Sequence, residues 1–321
     1  MKPNIVVSKC LEFEECRYNG QKIPDAFIRR IAPYVNFTKV CPEIEIGLGT
    51  PREPIRIVHR ESKTRLIQLN TEKDVTSDMN QFSEKFLNSL NDIDGFILKS
   101  RSPSCGTHGV KLYPGTHKVQ PSGKGSGLFG GEVINRFPYA AIEEETRLNN
   151  PRISEHYLTK LFVRTKFRQM KDTGKIKDLV AFHSSEKFLL MAYNKKELTL
   201  LGRIAANPDK LQFTEVIEDY EGHLSKAFVR APSFKSMINT FQHALGYFKN
   251  NLSSDEKAYF LRMLDNYRLG ILPASAIIAL LRSWTIRFQT DYLAQQTFFI
   301  PFPEELMNTI AERPLERDYW K

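Results

Sequence analysis

Over the first 150 residues, short apolar runs alternate with stretches of helical periodicity. Residues 4–8 (Asn-Ile-Val-Val-Ser), 36–40, 95–99 and 139–142 read as strands, and residues 25–34, 79–90 and 128–135 as helices between them. Such alternation predicts a parallel sheet with crossover helices, a Rossmann-like α/β domain. Past about residue 150 the period changes. Phe234, Met237, Ile238, Phe241, Leu245 and Phe248 recur at i, i+3, i+4 spacing, which buries one stripe of a helix. Ser253-Ser254-Asp255-Glu256 has the composition of a helix start, and Pro273 opens an apolar helix over 274–290 at a position where proline is tolerated. The expectation is an α/β domain over 1–150, a basic linker helix over 151–178 and an all-α domain over 179–321.

Length agrees with that division, because 321 residues exceed what one core usually organises. Hydrophobic residues at 41% and charged residues at 26% exclude a disordered, collagen-like or disulfide-scaffold protein. The longest apolar stretch, 271–281, is about half of the roughly 20 residues a membrane span requires. Ile5-Val6-Val7 is broken by Ser8 and Lys9, too soon for the core of a signal peptide. A cytoplasmic chain with neither membrane attachment nor an obligate protein partner is expected. In that reducing setting four cysteines act as metal ligands, reactive thiols or core residues rather than as disulfides.

The net charge of +9 is unevenly placed. Residues 1–150 hold 21 basic and 18 acidic side chains, and residues 160–177 alone hold seven bases against one acid. Lys160, Arg164 and Arg168 share a face if this segment is helical, and a basic stripe of that kind matches sequence-independent contacts to phosphate. Gly174 is placed to end the helix before Lys175. The loop 122–127 (Ser-Gly-Lys-Gly-Ser-Gly) precedes a helix and could offer backbone N–H groups and Lys124 to a phosphate, although it lacks the spacing of a Walker loop. Arg52 is a further candidate phosphate contact.

Cys10, Cys41 and Cys105 each follow a predicted strand. In an open parallel sheet the carboxyl ends of the strands share one edge, and ligands bind outside it, so three cysteines far apart in sequence are expected to converge. Cys16 lies past the first strand end in a polar run and is expected not to be a ligand. Three thiolates without a fourth ligand fit either a catalytic zinc or an iron–sulfur cluster with one open iron. Spacing alone leaves both open. His183 is expected to be a hydrogen-bonded core histidine.

Val7-Ser8-Lys9-Cys10-Leu11 with Arg17-Tyr18-Asn19-Gly20, Cys41-Pro42-Glu43 through Pro51-Arg52, and Lys99-Ser100-Arg101-Ser102-Pro103-Ser104-Cys105-Gly106 resemble the TudS-like thiouracil desulfidases. Phe182-His183-Ser184, Lys187 through Ala192, Leu201-Gly202-Arg203, and Gln296-Thr297-Phe298-Phe299 through Pro303 resemble the YbgA-type helical domain. Together these stretches cover nearly the whole chain, and the pairing is similar to the RudS type, desulfidases of 4-thiouridine in tRNA.

The resemblance implies a [4Fe-4S] cluster held by Cys10, Cys41 and Cys105, with one open iron for the sulfur of a thiocarbonyl, and hydrolysis to uridine and hydrogen sulfide without net redox change. Glu43 and Glu45 are then the candidate bases, Ser102 the best candidate to hydrogen-bond substrate or water, and Ser104 the second. Lys124, Arg52, Lys160, Arg164 and Arg168 become candidate contacts to thiolated tRNA. Two alternatives stand beside this: a desulfidase of free thiolated nucleobases or nucleotides, and a non-catalytic, cluster-containing RNA-binding protein.

Overall fold

Ile5, Val6 and Val7 are wholly buried in the computed structural model, which describes residues 2–61, 63–116 and 119–307. They lie in β1 (Asn4–Ser8), the first of eight strands: β2 (Asn36–Val40), β3 (Ile55–Arg60), β4 (Lys63–Gln68), β5 (Gly95–Leu98), β6 (Val110–Tyr113), β7 (Gly123–Gly125) and β8 (Ala141–Glu144) follow among the described residues. β1, β2, β5 and β8 form one parallel sheet in the order β2-β1-β5-β8. The chain builds outward from β1 to β2, then crosses back to β5 and β8. The topology therefore switches direction between β1 and β5, where open α/β sheets place their ligand crevice.

Helices α1 (Ala26–Ile31), α2 (Pro42–Glu45), α3 (Thr76–Asn88), α4 (Leu128–Arg136) and α5 (Pro151–Lys171) accompany the strands. Asp25 caps α1 by accepting from Ile28 N, and Ala32–Tyr34 continue it as a 3-10 turn. Gly95 is required by close packing: a Cβ there would meet Ala141 O at 2.8 Å and Leu161 Cδ1 at 2.9 Å. Leu161 thus marks where α5 lies on the sheet. The fourth strand runs two residues later than the pattern 139–142 predicts, because Ala140 closes a turn onto Phe137 O and Ala141 is the first to pair with β5.

A second sheet, β4-β3-β6-β7, has no counterpart in the sequence reading. Its hairpin alternates buried Ile55 and Ile57 with partly exposed neighbours, and Ile57 and Leu66 join Val6, Phe96, Leu98 and Phe129 in the same core. Residues 122–127, read as a free loop, contain β7, which pairs antiparallel with β6.

The chain divides between Thr165 and Lys166, inside α5, rather than at a separate linker over 151–178. The helix is no exposed connector: Tyr157, Leu158, Leu161, Phe167 and Met170 along it are buried. It ends at Lys171, and Gly174 follows with φ +67°. The second unit, Lys166–Phe302, is helical: α6 (Ile176–Tyr193), α7 (Lys195–Ala206), α8 (Phe213–Ala227), α9 (Phe234–Gly246), α10 (Ser254–Arg268), α11 (Ala274–Arg287) and α12 (Asp291–Ala294). A last helix, α13 (Glu304–Met307), belongs to the first unit. Residues 308–321 of the expected helical half lie outside the described residues.

The motifs of the helical half meet in a buried polar node. Gln296 accepts from Phe188 N at 3.1 Å and donates to Ser184 O at 2.9 Å, two groups that an unbroken helix pairs with each other. Thr297 donates to the fully buried Glu186 at 2.6 Å, and Lys166 reaches both. His183 Nδ1 lies 3.1 Å from the Tyr220 hydroxyl, as expected of a core histidine. These residues hold helices together.

Candidate active site at the strand ends

Cys10 follows β1, Cys41 follows β2 and caps α2, and Cys105 ends a loop that leaves β5. Lys9 N donates to Val40 O at 2.8 Å, tying the first two strand ends together, and Ser8 Oγ accepts from Lys99 N at 2.9 Å, tying the first to the third. All four cysteines are free thiols. Cys16 is buried and hydrogen-bonds to both Cys10 and Cys41, so the structure adds it to the thiol group that the sequence confines to three strand ends.

The thiols make one another harder to ionise. The hydrogen bond from Cys10, with burial behind it, pushes the Cys16 thiol up to about 11. The bond from Cys16, with burial, raises Cys41 far above the ordinary thiol range. Burial pushes Cys105 up to about 12, against hydrogen bonds from Ser8 and Ser104. Buried thiols of this kind hold their protons until a cation is present to favour the thiolate.

Beside them runs a chain of hydrogen bonds. Ser102 Oγ accepts from Cys105 N at 3.1 Å and Ser104 N at 3.3 Å. Ser102 Oγ and Ser104 Oγ are 2.9 Å apart, and Ser104 donates to Glu43 Oε1 at 2.6 Å. Since the Ser104 proton is committed to Glu43, Ser104 accepts from Ser102, and the Ser102 proton points toward the carboxylate. Ser102 therefore both caps its loop and heads a proton path. Glu43 Oε2 is held by Arg52 Nε at 2.8 Å. Glu45 is exposed and outside this path.

Two of the candidate phosphate contacts, Arg52 and the amides before α4, are already engaged within the protein. The Arg52 side chain is 4% exposed, and besides Glu43 it donates to Cys16 O and Gly49 O; it braces the site and is turned away from solvent phosphate. The amides at the start of α4 are also occupied: Gly127 N donates to Gly106 O, Leu128 N to Pro103 O and Gly130 N to Ser104 O. A Cβ on Gly130 would collide with the carbonyl oxygens of Cys105 and Gly106, so the glycines serve close approach to the cysteine loop. Lys124 remains exposed on β7. Lys160 and Arg164 of the first unit and Arg168 of the second are half-buried rather than an open stripe.

Glu144 and Glu145, at the end of β8, escaped the sequence reading. Glu144 is buried and accepts from Thr107 N at 2.7 Å, Thr107 Oγ1 at 3.1 Å and His108 N at 3.3 Å. Glu145 accepts from Ser100 N at 2.6 Å and Ser100 Oγ at 2.8 Å, and pairs with Lys99. The two carboxylates clamp both ends of the loop that carries Ser102, Ser104 and Cys105. Paired acids on the last strand of a sheet whose other strand ends bear cysteines were the available signal.

The profile of the 2-thiouracil desulfurase family matches residues 5–145, and that of a family of unknown function, DUF1722, matches residues 187–303. The uncharacterized protein YbbK of Bacillus subtilis is 34% identical over 150 residues, 44% of this chain and 95% of YbbK. The uncharacterized protein YbgA of Escherichia coli is 22% identical over 158 residues, 49% of this chain and 94% of YbgA. A solved structure described as the [4Fe-4S]-dependent thiouracil desulfidase TudS is 28% identical and covers 46% of this chain and 94% of its own, with a TM-score of 0.37. Among the described residues no helix is long and apolar enough to cross a membrane.

Proposed function

We propose, from the premise that this chain belongs to the 2-thiouracil desulfurase family and carries a DUF1722 region behind it, that it hydrolyses the C–S bond of 4-thiouridine in tRNA. Water replaces sulfur at the ring carbon, giving uridine and hydrogen sulfide with no change of oxidation state. The observation that carries the reading is the path from Ser102 through Ser104 to Glu43 beside the strand-end thiols.

The donor set fits an iron–sulfur cluster. It consists of thiols without an imidazole, the donor chemistry of such clusters. In such a cluster each cysteine binds an iron of its own, so the thiols need not converge on one point. Cys10, Cys41 and Cys105 would hold it. When bound, a [4Fe-4S] cluster with one iron free of protein ligands supplies a Lewis acid that draws electron density from a thiocarbonyl.

The protein's own groups handle the proton. Ser102 Oγ, fixed by Cys105 N at 3.1 Å, accepts from water or the substrate in place of its longer 3.3 Å contact with Ser104 N, and as it takes that proton its own passes to Ser104 and that of Ser104 to Glu43 Oε1. Arg52 fixes the Glu43 carboxylate so that Oε1 faces Ser104. Glu43, not Glu45, is the base in this reading.

The substrate is tested by comparing thiolated tRNA with 4-thiouridine monophosphate under anaerobic conditions. At least tenfold higher kcat/KM for tRNA supports the reading. Equal or better use of the mononucleotide replaces it with a desulfidase of free nucleotides.

A further inference from the structure

A groove in the first unit begins at Thr107 and His108, just past Cys105, and continues as two adjoining hollows of about 420 and 430 Å³ that share Thr107, His108 and Ile134. One hollow reaches Lys124 on β7, and the other reaches Arg147 and Lys160. The two lysines are 36 positions apart in sequence, yet both line this surface.

Neither lysine is in direct contact with a carboxylate, and the attraction of Glu143 for Lys160 acts at longer range. Among the described residues the ammonium groups of Lys124 and Lys160 make no hydrogen bond or ion pair, whereas Lys9, Lys99 and Lys171 each hold a carboxylate. Lys160 is half-buried, and burial, with repulsion from Arg164, brings it down to about 8. Burying an uncompensated charge is costly, and an anion delivered from outside offsets that cost. The acids nearby are already engaged. Glu143 accepts from Arg147 Nε at 2.7 Å, and buried Glu144 holds the amides of Thr107 and His108.

We infer that this groove binds the phosphodiester backbone of an RNA strand, with successive phosphates against Lys160 and Lys124 and with His108 between them. The groove is open along its length, which suits a continuous strand better than an enclosed small molecule. It starts at the cysteine loop, so it deepens the proposed function by giving the strand that carries the thiolated base a track leading from the reacting site. This placement rests on the desulfidase reading; the binding of phosphates does not.

The test measures the Kd of unthiolated tRNA by fluorescence anisotropy across a salt series. Lys124→Glu combined with Lys160→Met is expected to raise Kd at least tenfold and to reduce the magnitude of the log–log salt slope by about 2, since each phosphate contact contributes about 0.7–0.9. Lys85→Glu, an exposed lysine on α3 outside the groove, controls for net charge and is expected to move Kd less than threefold. Should Lys160→Met lower the melting temperature, Lys124→Glu alone still decides the matter, with a slope change of about 1. A Kd and slope equal to wild type, or a change no larger than that of Lys85→Glu, overturns the inference. So does competition by inorganic phosphate as effective as competition by RNA, which would make the groove an isolated anion site. Because the probe carries no sulfur, absence of desulfidase turnover would count against the proposed function and leave the groove result standing.

Discussion

The Ser104 hydroxyl donates to Glu43 Oε1 at 2.6 Å across sixty-one positions of sequence. This bond joins the loop after β5 to the helix after β2 and gives Ser102 an outlet for its proton. Glu43→Gln and Ser102→Ala are each expected to lower kcat by about 10²–10³, the usual contribution of a positioned acid or base. Glu45→Gln is expected to stay within about threefold of wild type. Steady-state sulfide release checks both, and the reverse order of effects would move the base to Glu45.

Cys10→Ser, Cys41→Ser and Cys105→Ser are each expected to lose most bound iron and acid-labile sulfide after anaerobic reconstitution. Cys16 contacts Cys10 and Cys41 but lies off the strand ends. Cys16→Ser is expected to keep its iron and sulfide, measured colorimetrically per polypeptide. Loss of the cluster in Cys16→Ser would make it a ligand.

The chemistry-bearing residues were more legible than the scaffold that positions them. The strand ends before Cys10 and Cys105 follow from short apolar runs that are buried in the sheet, whereas the strand before Cys41, largely exposed, is marked only by Phe37 and Val40. The sheet of β3, β4, β6 and β7 was not legible, because its strands are half-exposed and β7 is nearly all glycine. Arg52 looks like a surface cation in sequence, and only its long-range partners reveal it as a brace. A helix within 151–178 was anticipated, but its burial was not: a basic count does not tell which side of a helix is covered.

Removing the clamp beneath the cysteine loop should loosen the site without touching a thiol. Glu145→Gln removes the charge paired with Lys99 and weakens two bonds to Ser100, at an expected cost of about 2–4 kcal/mol in stability. Gly130→Ala places a methyl group against Cys105 O and Gly106 O and is expected to cost about 1–3 kcal/mol. Urea denaturation checks both, and midpoints equal to wild type would contradict the close approach.

Burial holds His156 on α5 down to about 4, with Lys160 adding repulsion. Its folded value lies below its unfolded value near 6.5, so between the two the unfolded chain binds the proton more readily. The stability His156 contributes is present above about pH 6.5 and is lost as pH falls toward 4, on the order of 2 kcal/mol once partial exposure is allowed for. His183, lowered in the same direction by burial, adds to the trend. His156→Gln should flatten the profile of melting temperature against pH over this range, and an unchanged profile would show that other groups govern it.

The most direct measurement of the central claim is hydrogen sulfide released from a thiolated uridine substrate by the anaerobically reconstituted protein, with the uridine formed counted in the same reaction. The account predicts one sulfide and one uridine per thiolated base over many turnovers, and neither from Cys105→Ser. A protein that takes up no iron–sulfur cluster under these conditions, or one that holds it and releases no sulfide, would contradict the account.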